Sequence, residues 1–163
     1  MQISPIRRAL GMVVLSGLLV CCGGSAHLRA QGAGISNVPE PDPRQYARAK
    51  PVLTLVGFAS YYADSLAGNH TANGEVYDPS LRTAASRDLP FGSVVRVVRR
   101  DTGRSVIVRI NDRGPFANKK RIIDLSRAAA EELHMMDVGV IRIRAEVLKL
   151  GPAKGSKRRR HQS

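Results

Sequence analysis

The chain has 163 residues and a formal net charge of +13, which leaves room for one domain and little more. Aromatics make up 4% of it, tryptophan is absent and its two cysteines, Cys21 and Cys22, are neighbours, which excludes a disulfide framework and an aromatic core. Basic residues outnumber acidic ones by six to two in residues 1–56, by 15 to 11 in 57–150 and by five to none in 151–163. Most of the charge therefore lies in the flanks, and no nucleic-acid motif interrupts the mildly basic middle, so a charge-driven nucleic-acid partner is not expected.

In chain order, Arg7-Arg8 form a positive start and Ala9 to Val20 an apolar run too short to span a bilayer comfortably. Small residues follow, and residues 1–26 read as a secretory signal peptide that exports the chain to the periplasm or cell envelope. Two processing routes fit. Cleavage after Ala26 would release a secreted protein. Acylation of Cys22, with Cys21 before it and Gly23-Gly24-Ser25 after it, would tether the chain to the membrane, the outer membrane in this reading. Residues 27–52 are rich in Gly, Pro, Ala, Gln and Arg, with Pro39, Pro41 and Pro43 alternating, and read as a disordered linker.

The domain is expected over 53–150. Leu53, Leu55, Gly57, Ala59 and Tyr61 recur with a period of two. Ser93–Arg99 and Ser105–Ile110 are β-branched runs joined by Arg100-Asp101-Thr102-Gly103, a hairpin signal. Arg121–Ile123 is a short strand, Ser126 an N-cap for a helix over Arg127–Leu133, and Val140–Leu148 alternates again. Residues 151–163 read as a disordered basic tail. Several short strands with one helix give a mainly β chain closing into a small barrel.

Two loops dense in turn residues hold the candidate chemistry. In the first, Asn73-Gly74 forms a tight turn that presents Glu75. In the second, Asp112 follows the strand Val106–Ile110, and an acid at the end of an apolar strand is partly desolvated, the setting of a general acid. Arg113 beside it pulls the other way, Gly114-Pro115 turns the chain and Phe116 walls the site. Glu75 and Asp112 form one carboxyl pair of the kind that cleaves glycosidic bonds. Spacing equally accommodates Asp112 as a turn cap or a partner of Arg113, and Glu75 as a solvated loop acid. No Cys/His cluster has metal-ligand spacing, so neither metal nor cofactor is expected.

At these residues a resemblance emerges. Gly57-Phe58-Ala59-Ser60-Tyr61-Tyr62, Thr71-Ala72-Asn73-Gly74-Glu75, Thr83-Ala84-Ala85 with Leu89-Pro90-Phe91-Gly92, Asn111 to Phe116, and Ile123-Asp124-Leu125-Ser126 with Ala128-Ala129-Ala130 look like successive blocks of the rare lipoprotein A family. They cover nearly all of 57–148. The resemblance implies a six-stranded double-psi β-barrel, shared with barwin proteins and the first domain of expansins. It implies an endolytic lytic transglycosylase that cuts peptidoglycan strands between N-acetylmuramic acid and N-acetylglucosamine. No water enters, because the muramic 6-hydroxyl closes a 1,6-anhydro ring.

The resemblance makes Asp112 the catalytic acid, with Glu75 facing the same groove. Tyr61, Asn73, Arg113 and Phe116 are expected around the substrate, and the partner is the peptidoglycan glycan strand, met by a monomer. The sequence departs from the family at Ser86, where a histidine is the rule, and serine cannot titrate near neutrality. That departure keeps a second reading open, a non-catalytic, expansin-like glycan-binding or wall-loosening module. His70, five residues before Glu75, is a candidate substitute imidazole, and an exposed loop histidine is the plainer account. His134 reads as a helix C-terminal charge.

Overall fold

The computed structural model describes residues 39–152. The signal peptide, the candidate lipidation site at Cys22, the first part of the linker and the tail from residue 153 onward lie outside the described residues. Six strands, β1 (Leu53–Tyr61), β2 (Thr83–Ala85), β3 (Val94–Arg99), β4 (Ser105–Asp112), β5 (Arg121–Leu125) and β6 (Ile141–Lys149), close into a barrel in the order β1-β5-β2-β4-β3-β6. The β1–β5 and β2–β4 pairs are parallel and the other four antiparallel. Two short helices accompany them, α1 (Pro43–Tyr46) and α2 (Arg127–Glu132). The mainly β, six-stranded barrel expected from the resemblance is the observed architecture.

Alternation builds the core. Val106, Val108 and Ile110 of β4 point inward with Val95 and Val97 of β3, Ile143 and Val147 of β6, and Ile123 and Leu125 of β5. Leu133 and Met135, just beyond α2, plug one end. Ser126 caps α2 as expected, its hydroxyl accepting the Ala129 N–H. The Arg99–Arg104 hairpin closes where Arg100 to Gly103 signalled it, with Gly103 at φ 74°.

Three features differ from expectation. β2 carries no periodic signal, because it is only three residues long and all three are buried. β4 runs on to Asp112, so the candidate acid ends a strand and does not open a loop. The linker expected over 27–52 is laid on the barrel within its described part. Tyr46 and Ala49 cover the outward-facing patch of Val94, Ile107 and Leu148, Arg96 donates to the Tyr46 carbonyl at 2.6 Å, and the Arg82 backbone and guanidinium donate to Glu40. A patch of apolar side chains on the outer face of a barrel needs such a cover to leave water.

Candidate active site

The parallel β2–β4 pair sets the site. Asp112 lies opposite Ala85, which on its other side pairs with Asp124 of β5. The Asp112 carboxylate is half-buried and accepts three hydrogen bonds. The Tyr62 hydroxyl donates to Oδ2 at 2.7 Å, and the backbone N–H groups of Ala72 and Arg113 donate to Oδ1 at 2.7 and 2.8 Å. Its position is thus fixed from the residue that follows β1, from the first loop and from its own turn. Burial, then the Asp112 hydrogen bond and charge, push the Tyr62 phenol far above its ordinary range, so it stays a donor. The Tyr62 ring leans on Tyr77, centroids 4.8 Å apart at 57°.

Arg109 and Asn111 alternate with the core residues of β4 and so face outward, yet both are buried. The first loop folds down over them and brings Glu75 into contact. Arg109 grips the Glu75 carboxylate with both terminal nitrogens, at 2.7 and 2.8 Å, while the Asn111 and Asn73 amides each donate to it at 2.9 Å. Burial alone would raise this carboxyl, but the donors from Arg109, Asn111 and Asn73 outweigh it and hold the group below its usual range. The expectation that Glu75 faces the groove as a second acid is corrected here: four donors saturate both oxygens, and the residue clamps the loop that carries Ala72 onto Asp112.

The remaining expected residues divide. Asn73 shapes the turn, its Oδ1 accepting from the Thr71 hydroxyl and the Glu75 N–H. Tyr61 packs against the core and donates to the Met136 carbonyl at 3.0 Å, so it faces away from Asp112. The Arg113 guanidinium does not pair with the Asp112 carboxylate and donates instead to the Asp112 backbone carbonyl at 3.3 Å. It lies 3.6 Å above the Phe91 ring and donates to the carbonyls of Ser86 and Leu89. Phe116 stands in solvent, 75% exposed. Gly114, at φ 144°, occupies backbone space that side-chain-bearing residues rarely adopt, which lets the chain leave Asp112 sharply.

Ser86 is buried, donates its N–H to the Asp112 carbonyl and accepts the Asp88 N–H on its hydroxyl. It stands beside the acid through the backbone only. His70 is exposed, its Nδ1 3.3 Å from the Gly74 carbonyl, and it shares with Asp112 a hollow of about 270 Å³ also lined by Tyr62, Leu66, Asn69, Thr71 and Tyr77. Among the described residues no group of three His, Cys, Asp or Glu is placed to hold a metal.

Near Asp112, Tyr62 carries no signal of its own in the sequence. Tyr62 was hidden by its neighbour, since period two pointed at Tyr61. Asp124 accepts from the Ser60 hydroxyl, and Ser60 accepts from Arg121 at 2.6 Å.

The lytic transglycolase family model matches residues 54–145. The chain belongs to that family. A probable endolytic peptidoglycan transglycosylase RlpA of Treponema pallidum is 53% identical over 95 residues, which are 58% of this chain and 30% of that protein. The endolytic peptidoglycan transglycosylase RlpA of Pseudomonas aeruginosa PAO1 is 46% identical over 113 residues, 69% of this chain and 31% of its own. The chain thus spans about a third of the length of these relatives. Among solved structures, a Streptomyces papain inhibitor superposes with a TM-score of 0.50 at 26% identity, covering 61% of this chain and 97% of that one.

Proposed function

We propose that the barrel is an endolytic lytic transglycosylase that cuts peptidoglycan strands between N-acetylmuramic acid and N-acetylglucosamine, with Asp112 as its acid and base. The observation that carries this is the Asp112 carboxylate, fixed by three donors at the mouth of a hollow. As the bond from the muramic C1 to the leaving oxygen breaks, the protonated carboxyl gives that oxygen its proton. The muramic 6-hydroxyl oxygen then bonds to C1, and its proton passes to the Asp112 carboxylate. One carboxyl serves both steps and is regenerated, water is not consumed, and no second free carboxylate is required. Tyr62, as a donor to Oδ2, orients the group and steadies its charged form between the two steps. The names of the relatives, and a family match spanning every block of the site, support the same reading.

In this reading the leader exports a monomer to the envelope, either released after Ala26 or acylated at Cys22. Ser86 favours one alternative, a barrel that holds glycan without cutting it, because a buried hydroxyl already bound by Asp88 supplies no titrating group.

The test is digestion of purified sacculi, with and without stem peptides, by the full chain and by Asp112→Asn, read by mass spectrometry for 1,6-anhydro products. Anhydro ends that vanish in the variant are expected. Co-sedimentation with sacculi and no anhydro ends in the wild type would give the site to the binding module.

A further inference from the structure

Beside Asp112 and Tyr62, the hollow is lined by residues that the cleavage step does not use. Its volume of about 270 Å³ includes space open to solvent. The part not shared with open solvent is a small fraction of the roughly 300 Å³ at which pockets begin to enclose a whole small molecule. It suits one substituent of a larger ligand lying in the groove. The walls are the Tyr62 and Tyr77 rings and Leu66, itself 39% exposed. Facing them are Asn69, whose side-chain amide makes no hydrogen bond among the described residues, and the His70 ring, which uses only Nδ1. Thr71 adds nothing free, because its hydroxyl is bound to Asn73 and the Glu75 carbonyl.

We propose that this hollow is the subsite for the 2-acetamido group of the sugar whose C1 reacts at Asp112, and that Asn69 reads it. The inference rests on the groove being a glycan site, as argued above. The occupant follows from the lining. A methyl finds apolar cover on Leu66 and the tyrosine faces, while an amide N–H and C=O find one acceptor and one donor on the single Asn69 side chain. A carboxylate substituent would meet the Asp112 charge, and a hydroxymethyl group would leave the apolar wall uncovered. Reach agrees, since C2, which bears the acetamido group, is bonded to C1, and the hollow adjoins the group that acts at C1.

Asn69 also permits a clean substitution. Its backbone N–H is bound to the Leu66 carbonyl and its own carbonyl accepts the Tyr77 N–H, contacts that survive removal of the side chain.

The experiment uses the full chain carrying Asp112→Asn, so that ligands stay intact. It is titrated by calorimetry and by amide NMR with β-1,4 hexamers of N-acetylglucosamine, glucosamine and glucose. These ligands contain no peptide, so a stem-peptide amide is removed as a source of binding. The acetylated hexamer is expected to bind at least about tenfold tighter than the others and to move the amides of residues 66–71. Adding Asn69→Ala should weaken that hexamer alone, by about three- to tenfold, the worth of one or two hydrogen bonds. Equal binding of the three hexamers, no binding of any, or a uniform loss in Asn69→Ala would overturn the proposal. Sacculus digestion by the wild-type chain separates this from the parent reading. Acetyl-selective binding without anhydro products leaves the subsite standing and removes the transglycosylase. Anhydro products without acetyl selectivity do the reverse.

Discussion

Removing the Glu75 side chain should damage stability more than any single loop contact on this barrel. Glu75 and Arg109 have side chains only 9% and 5% exposed. After Glu75→Ala the guanidinium keeps its charge in the same buried place, with its Nε already lacking a partner and both terminal nitrogens newly orphaned. Breaking a buried pair from one side costs about 3–5 kcal/mol, a large share of the 5–15 kcal/mol that holds a typical domain. In a domain of this size the melting temperature should fall by roughly 12–25 °C.

Calorimetric melting of wild type, Glu75→Ala, Glu75→Leu, Arg109→Met and the Glu75→Leu/Arg109→Met double variant measures it. The double variant, with no orphaned charge, should recover at least about 1 kcal/mol relative to the sum of the singles. A Glu75→Ala loss below about 1 kcal/mol, or strict additivity, would refute the clamp.

The same pair sets an acid limb. The folded carboxyl titrates below its ordinary 4.5, so its contribution is complete above that pH and disappears as pH falls through the folded value. Glu75→Gln should therefore flatten the loss of stability on acidification that wild type shows below pH 4.5. If Glu75 is a clamp and exchanges no proton, Glu75→Gln also keeps turnover within about tenfold at a temperature where it is folded, whereas Asp112→Asn abolishes it.

Tyr62→Phe deletes the one side-chain donor on the Asp112 carboxylate among the described residues and should lower anhydro-product formation about ten- to a hundredfold, the worth of a hydrogen bond to a charged group, with little change in melting temperature. Phe116→Ala removes an exposed ring, so stability should stay within about 0.5 kcal/mol, while KM for sacculi rises and kcat holds if the ring walls the groove. Gly57→Ala would place its Cβ 2.8 Å from Ile122 Cγ2 and 3.1 Å from the Lys120 carbonyl oxygen, where β1 meets β5. Denaturant titration should show a loss of about 1–3 kcal/mol.

What the sequence disclosed follows from what can be coded locally. β3 and β4 announce themselves as β-branched runs on either side of a hairpin signal, β6 because it alternates along its length, and Ser126 announces α2 because a cap is a contact within one turn. β2 is silent, since Thr83-Ala84-Ala85 is too short to show a period and is a strand only because β4 and β5 flank it. Asp112 was legible from its place after an apolar run. Its partners were not, because Tyr62 and Ala72 reach it from 50 and 40 residues away.

Glu75 shows the same limit from the other side. Its turn is written in Asn73-Gly74, but whether the turn offers the carboxylate to a substrate or buries it depends on Arg109, which stands 34 residues on and on the outer face of a strand. An arginine flanked by Val108 and Ile110 in a run of apolar residues is itself a signal, because a buried guanidinium requires an anion. Glu75 is the loop acid that supplies it. With Glu75 bound to Arg109, Asp112 is the carboxyl of the pair left for chemistry. A reaction that passes one proton out and back needs no more than that.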